Sequence, residues 1–121
     1  MVKSTAAGVL AAMLFVGAAF AEPVTYTWTG SGVNPPGSGK CPSYKMTIDV
    51  TVDGTDVKGR FQQEGRPERR FETTLGKGGA IKTAAMVGGG GMIDITGEIN
   101  GADSKIKLDG YCIFEGKLSK K

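Results

Sequence analysis

Residues 44–62 read YKMTIDVTVDGTDVKGRFQ, and this stretch decides the fold. Apolar and polar side chains alternate from Tyr44 to Val52, which is the period of a β-strand that buries one face. Asp53-Gly54 follows, a dipeptide that tolerates the positive φ angles of a tight turn. The alternation then resumes from Val57 to Gln62. We therefore predict an antiparallel hairpin here.

The same pattern recurs on both sides of this hairpin. Asn100-Gly101 and Asp109-Gly110 supply further turn signals, and no long stretch keeps the apolar spacing of a helix. The remaining alternating segments are residues 24–30, 70–75, 80–86, 92–100, 104–108 and 111–118. We expect an all-β chain of eight short strands.

One-sided alternation means that each strand buries a single face against a shared interior. An antiparallel meander of eight such strands can close on itself, which removes its exposed edges. We therefore expect a small closed eight-stranded barrel. The alternative architecture is a two-sheet β-sandwich, which has the same alternation.

The first 21 residues differ in composition from the rest of the chain. Lys3 precedes an apolar run over residues 6–20, and Ala19-Phe20-Ala21 forms a small-x-small cleavage site. This layout predicts a bacterial secretory signal peptide that is cut before Glu22; the alternative is a retained N-terminal anchor. Residues 22–121 would then form one domain with no membrane span, and we expect that domain in the periplasm or secreted.

The chain contains two cysteines, Cys41 and Cys112, both after the predicted signal peptide. An even cysteine count in an oxidising compartment favours a Cys41–Cys112 disulfide over a pair of free buried thiols. We expect no metal site, because the chain has no histidine and two thiolates do not complete a tetrahedral zinc shell.

Charge and motif content argue against several function classes. Without Lys3 the chain has 14 basic and 12 acidic residues, a net charge of +2, which is too small to indicate nucleic-acid binding. It has no G-x-S-x-G motif and no histidine base, so we expect no enzymatic activity. The glycine runs lack the G-K-[ST] ending of a phosphate-binding loop, and we expect no cofactor.

Two sets of residues are candidates for ligand binding. The segment Arg66-Pro67-Glu68-Arg69-Arg70 places three arginines close together, where they can hold an anionic group unless the neighbouring glutamates neutralise them. Inward-facing aromatic residues can either fill the interior or line a pocket. The predicted ligand-binding residues are Trp28, Tyr44, Phe61, Arg66, Arg69 and Arg70.

The eight-strand exported plan resembles the avidin and lipocalin-type barrels, and Trp28-Thr29-Gly30 is similar to their early-strand tryptophan. The size, signal peptide and single disulfide are also similar to periplasmic barrel inhibitors of lysozyme or of metalloproteases. The first resemblance implies a non-enzymatic module that binds a small molecule or an envelope component at the barrel mouth. The second implies an inhibitor of an envelope hydrolase, acting through the Ser31–Gly39 loop and residues 66–70.

Overall fold

The computed structural model describes residues 22–36 and 39–121, so the predicted signal peptide lies outside the described residues. The described chain is all-β, as predicted, and in this part no helix is long and apolar enough to cross a membrane. Short 3₁₀ turns cover Cys41–Ser43, Lys77–Gly79, Gly88–Gly90 and Gly101–Asp103. The strands are β1 (Val24–Ser31), β2 (Lys45–Asp53), β3 (Asp56–Gln63), β4 (Arg69–Thr74), β5 (Ala80–Met86), β6 (Met92–Glu98), β7 (Lys105–Asp109), β8 (Ile113–Lys117) and β9 (Ser119–Lys120).

These strands form two antiparallel sheets. One sheet has the order β9-β1-β2-β3-β4 and the other has the order β5-β6-β7-β8. The hairpin predicted from residues 44–62 is the β2–β3 pair, in which Val52 lies opposite Val57 and Ile48 opposite Phe61. Gly54 in its turn has a φ of +64°, a conformation that glycine adopts without steric cost. The prediction of this hairpin is confirmed.

The predicted closed barrel is not found among the described residues. No ladder joins β4 to β5 or β8 to β1, so the strands remain in two sheets and a sandwich-like layout fits. The sequence pattern does not separate the two architectures, because strands of a barrel and of a sandwich both bury every second side chain.

The two sheets are nevertheless connected along the side formed by β1 and β8. Val33, just after β1, forms an isolated antiparallel bridge with Ile113 of β8. After the end of β8 the chain continues through the buried residue Leu118 into β9. Strand β9 pairs with β1 in the opposite sheet. One continuous segment at the end of the chain therefore contributes a strand to each sheet.

The core lies between the inner faces of the sheets. Its fully buried side chains alternate with exposed ones along the strands, as the period of two requires. They include Ile48, Val50, Val57, Ile81, Ile95, Ile106 and Leu108. The ring of Phe71 packs directly over Gly59 on the neighbouring strand, where any larger residue would collide with it.

A disulfide joins Cys41 to Cys112, as predicted, with their Cα atoms 5.5 Å apart. Cys41 begins the 3₁₀ turn before β2, and Cys112 lies directly before β8. Both residues are buried. The bond therefore links the start of a strand in one sheet to the start of a strand in the other.

Candidate functional site

A cavity of about 300 Å³ opens between the two sheets at one end of the sandwich. Its walls come from the starts of β2, β4, β6 and β8 and from the ends of β3, β5 and β7. These positions meet because antiparallel strands place the start of one strand beside the end of the next. The volume is at the lower end of the range typical of small-molecule sites.

The inner wall of the cavity is apolar. Met46, Phe61, Ile93 and Phe114 line it, and all four side chains are buried in the core. Cys112 adds the disulfide to the same wall. A surface of this composition favours contact with an apolar ligand over contact with water.

The mouth of the cavity consists of Arg66, Met92 and Tyr111. Tyr111 is 72% exposed and Met92 is 57% exposed, although both carry large apolar surfaces. Val33 and Met86 are similarly exposed, at 55% and 66%, but they do not line the cavity. Apolar side chains exposed around an opening are typical of sites that bind a ligand or a partner.

Arg69 enters the cavity because of its position on strand β4. It lies opposite Phe61 in the β3–β4 ladder and shares the inward face with Phe71. Its side chain is half-buried and reaches the chain after β5, where a Cβ atom on Gly88 would lie 3.2 Å from Nη2 of Arg69. Within residues 22–36 and 39–121, Arg69 forms no ion pair.

Arg66 is held at the mouth by its own backbone. Its amide N–H donates to the carbonyl oxygen of Gln63 at 2.9 Å, and its carbonyl oxygen accepts from Nε2 of Gln62 at 2.8 Å. Gly65, with a φ of +82°, allows the tight turn that precedes it. The exposed guanidinium of Arg66 has no ion-pair partner in the part of the chain that the structure describes.

Arg70 lies outside the cavity, since the next side chain along β4 points to the opposite face of the sheet. Its Nε donates a hydrogen bond of 2.9 Å to Oε2 of Glu68, and Oε1 of the same carboxylate lies 3.9 Å from Nη1 of Arg60. The charge of Arg70 is therefore neutralised by a neighbouring glutamate, which is the alternative that the sequence leaves open for the arginine cluster.

Trp28 also lies away from the cavity. Its indole ring is partly buried and packs over Gly30 of its own strand and Gly116 of β8. It fills the space between β1 and β8, where the two sheets meet without a ladder. The structure thus brings together Tyr44, Phe61, Arg66 and Arg69 of the predicted ligand-binding residues.

Among the described residues, no group of three or more acidic or cysteine side chains lies close enough together to hold a metal ion. The buried carboxylate of Asp49 lies on the outer face of β2, where Arg60 is 3.2 Å and Lys121 is 3.4 Å from its Oδ2. Burial raises the pKa of Asp49, but Thr27, Arg60 and Lys121 lower it more, so that its pKa lies below the usual value. This arrangement keeps the carboxylate charged and serves the fold.

The sequence interpretation missed Met46, Met92 and Tyr111 as residues of the site, whereas Phe114 is one of the inward-facing aromatic residues expected to fill the interior or line a pocket. A signal for Met92 and Tyr111 was present. Residues directly beside the turn segments 87–91 and 109–110 lie at strand ends, and strand ends on the same side of an antiparallel sandwich meet at one opening.

A comparison of the chain with family models, curated proteins and solved structures finds no match.

Proposed function

We propose that this protein is an exported, non-enzymatic binding module that takes a small molecule into the cavity between its sheets. The combination of an apolar wall and a few polar groups at the mouth is the usual composition of a small-molecule site. The disulfide agrees with an oxidising compartment, either the periplasm or the medium outside the cell.

One observation carries this proposal. Four of the residues predicted as ligand-binding, which come from or lie beside three consecutive strands of one sheet, meet Ile93 and Phe114 of the other sheet around one cavity with an apolar wall. Here the opening keeps the apolar faces of Met92 and Tyr111 in contact with solvent, which costs hydrophobic free energy unless a ligand covers them.

A fluorescence titration with the neutral apolar dye N-phenyl-1-naphthylamine tests the proposal. The protein is purified from the exported fraction with its disulfide intact. We expect saturable binding of one dye molecule per chain. A double variant, Met92→Gln with Tyr111→Gln, should weaken binding about tenfold, because it replaces apolar contacts at the mouth with polar groups.

The chain offers a matched control for this experiment. Val33→Gln with Met86→Gln changes two equally exposed apolar residues that do not line the cavity, and this variant should bind the dye as the parent does. Absence of saturable binding, or equal loss of binding in both double variants, would refute a ligand site in the cavity.

A second candidate function is inhibition of an envelope hydrolase. Arg66, Met92 and Tyr111 belong to the residue types enriched at protein interfaces, and all three are at the mouth. Val33 and Asn34 of the Ser31–Gly39 loop lie at the same end, since Val33 pairs with Ile113 and Oδ1 of Asn34 accepts from the backbone N–H of Cys41, both beside the disulfide. This candidate predicts that an excess of the protein inhibits purified lysozyme or a purified metalloprotease and that Tyr111→Ala removes the inhibition. Full activity of both enzymes would argue against it.

A further inference from the structure

We propose that the ligand of this cavity is a small amphipathic anion, with one carboxylate or phosphate headgroup bound by Arg66 and Arg69 and an apolar body of about ten carbon atoms. This inference rests on the proposed function and specifies the chemical class of the ligand.

The charges around the cavity point to an anion. Arg66 and Arg69 line it, and no acidic residue does so among residues 22–36 and 39–121. The glutamate nearest in sequence, Glu68, pairs with Arg60 and Arg70 on the other face of the sheet. The cavity therefore carries two positive charges that the described part of the protein leaves unbalanced.

The position of Arg69 strengthens this argument. Arg69 as a whole is half-buried and lies opposite Phe61, whose ring is buried, so less water surrounds it than surrounds an exposed arginine. A charge in such surroundings is stabilised by an anionic partner more strongly than an exposed charge is. Guanidinium groups also match carboxylate and phosphate oxygens geometrically, because they donate two parallel hydrogen bonds.

The apolar wall of the cavity indicates the polarity and size of the rest of the ligand. Inorganic phosphate or sulfate would use the arginines and leave Met46, Ile93 and Phe114 uncovered. A water molecule takes about 30 Å³ and a methylene group occupies a similar volume, so that about ten such groups fill the space. A cavity of about 300 Å³ thus suits a medium-chain body whose headgroup remains at the mouth.

The test compares four ligands with the same ten-carbon chain: decanoate, decyl phosphate, 1-decanol and decylammonium. Each displaces the neutral dye, and its dissociation constant is obtained from the displacement curve. We expect at least one of the two anions to bind tenfold to a hundredfold more tightly than decanol, and decylammonium to bind most weakly. The stronger anion identifies the headgroup.

Three variants locate the source of this preference. Arg69→Gln and Arg66→Gln should each reduce the advantage of the anion over decanol by about tenfold or more, because the lost hydrogen bonds are stronger to a charged acceptor than to a hydroxyl. Arg70→Gln is the control, because Arg70 lies outside the cavity and pairs with Glu68. If Arg69→Gln does not fold, Arg66→Gln decides the question, since Arg66 is exposed on a turn.

The possible failures are distinguishable. Decanol binding as tightly as both anions, or a preference for anions that persists in both arginine variants, overturns the inference and leaves the proposed function intact. If none of the four ligands displaces the dye and the dye itself shows no saturable binding, the proposed function fails as well.

Discussion

Removal of the disulfide should have a large effect on stability, and its size follows from the separation of the two cysteines. Cys41 and Cys112 are 71 residues apart, so the bond closes most of the domain into one loop. The chain-entropy model assigns a loop of this length a stabilisation of about 4.4 kcal/mol at 25 °C. Domains of this size have a total unfolding free energy of about 5–15 kcal/mol, so the loss would remove a large part of it.

Urea denaturation measures this effect directly. The perturbation is the double variant Cys41→Ala with Cys112→Ala, compared with the oxidised parent. With a urea dependence of about 1–2 kcal/mol per molar, the midpoint should fall by about 2–4 M. The single tryptophan of the chain is a suitable probe, because Trp28 packs against Gly116 at the contact between the sheets and its fluorescence changes when they separate.

Reductant provides the control. Dithiothreitol should lower the midpoint of the parent to that of the double variant and have no effect on the double variant itself. The reasoning would be refuted if reductant shifts the urea midpoint of the parent by less than about 0.5 M while mass spectrometry shows two free thiols.

Two further predictions concern residues away from the cavity. Asp49 has a lowered pKa in the folded protein, so its charge stabilises the fold above about pH 4 and this contribution is lost as the pH falls further. Asp49→Asn should therefore flatten the fall of the urea midpoint below about pH 4, and an unchanged pH profile would contradict this. Gly116→Val places a side chain against the indole of Trp28 and should destabilise the protein by about 1–3 kcal/mol, with a shift in tryptophan emission. Gly39→Val should do neither, because no atom of residues 22–36 and 39–121 lies within 4 Å of the added Cβ. Equal midpoints for the two variants would show that Trp28 does not pack as described.

Local features of the fold were predictable because they depend on short-range patterns. The alternation in residues 44–62 gives the β2–β3 hairpin almost to the residue, since a strand with one buried face has a period of two. The disulfide was predictable from the cysteine count. The arrangement of the sheets was not predictable, because it depends on which strand edges form hydrogen bonds with each other. The alternation of apolar and polar residues does not show that the facing edges of β4 and β5 stay unpaired.

The candidate site was predictable in part, and Arg69 shows why. The alternation predicts a strand over residues 70–75 with Phe71 facing inward, which leaves Arg66 and Arg69 on the preceding loop, where the direction of a side chain is undefined. The structure begins β4 one residue earlier, at Arg69. Arg69 therefore belongs to the strand and shares the inward face with Phe71, whereas Arg70 points to the other face, toward Glu68.

The unpaired edge between β4 and β5 also accounts for the cavity. In a closed barrel a ladder would hold these two strands about 4.8 Å apart along their whole length. Here no ladder forms, and the guanidinium of Arg69 lies against Gly88 where the end of β5 meets the start of β4. A side chain on residue 88 would bring its Cβ atom to 3.2 Å from Nη2 of Arg69, so the guanidinium would have to shift by a few tenths of an ångström. The feature that separates this fold from the predicted barrel therefore also places a half-buried positive charge beside an apolar wall.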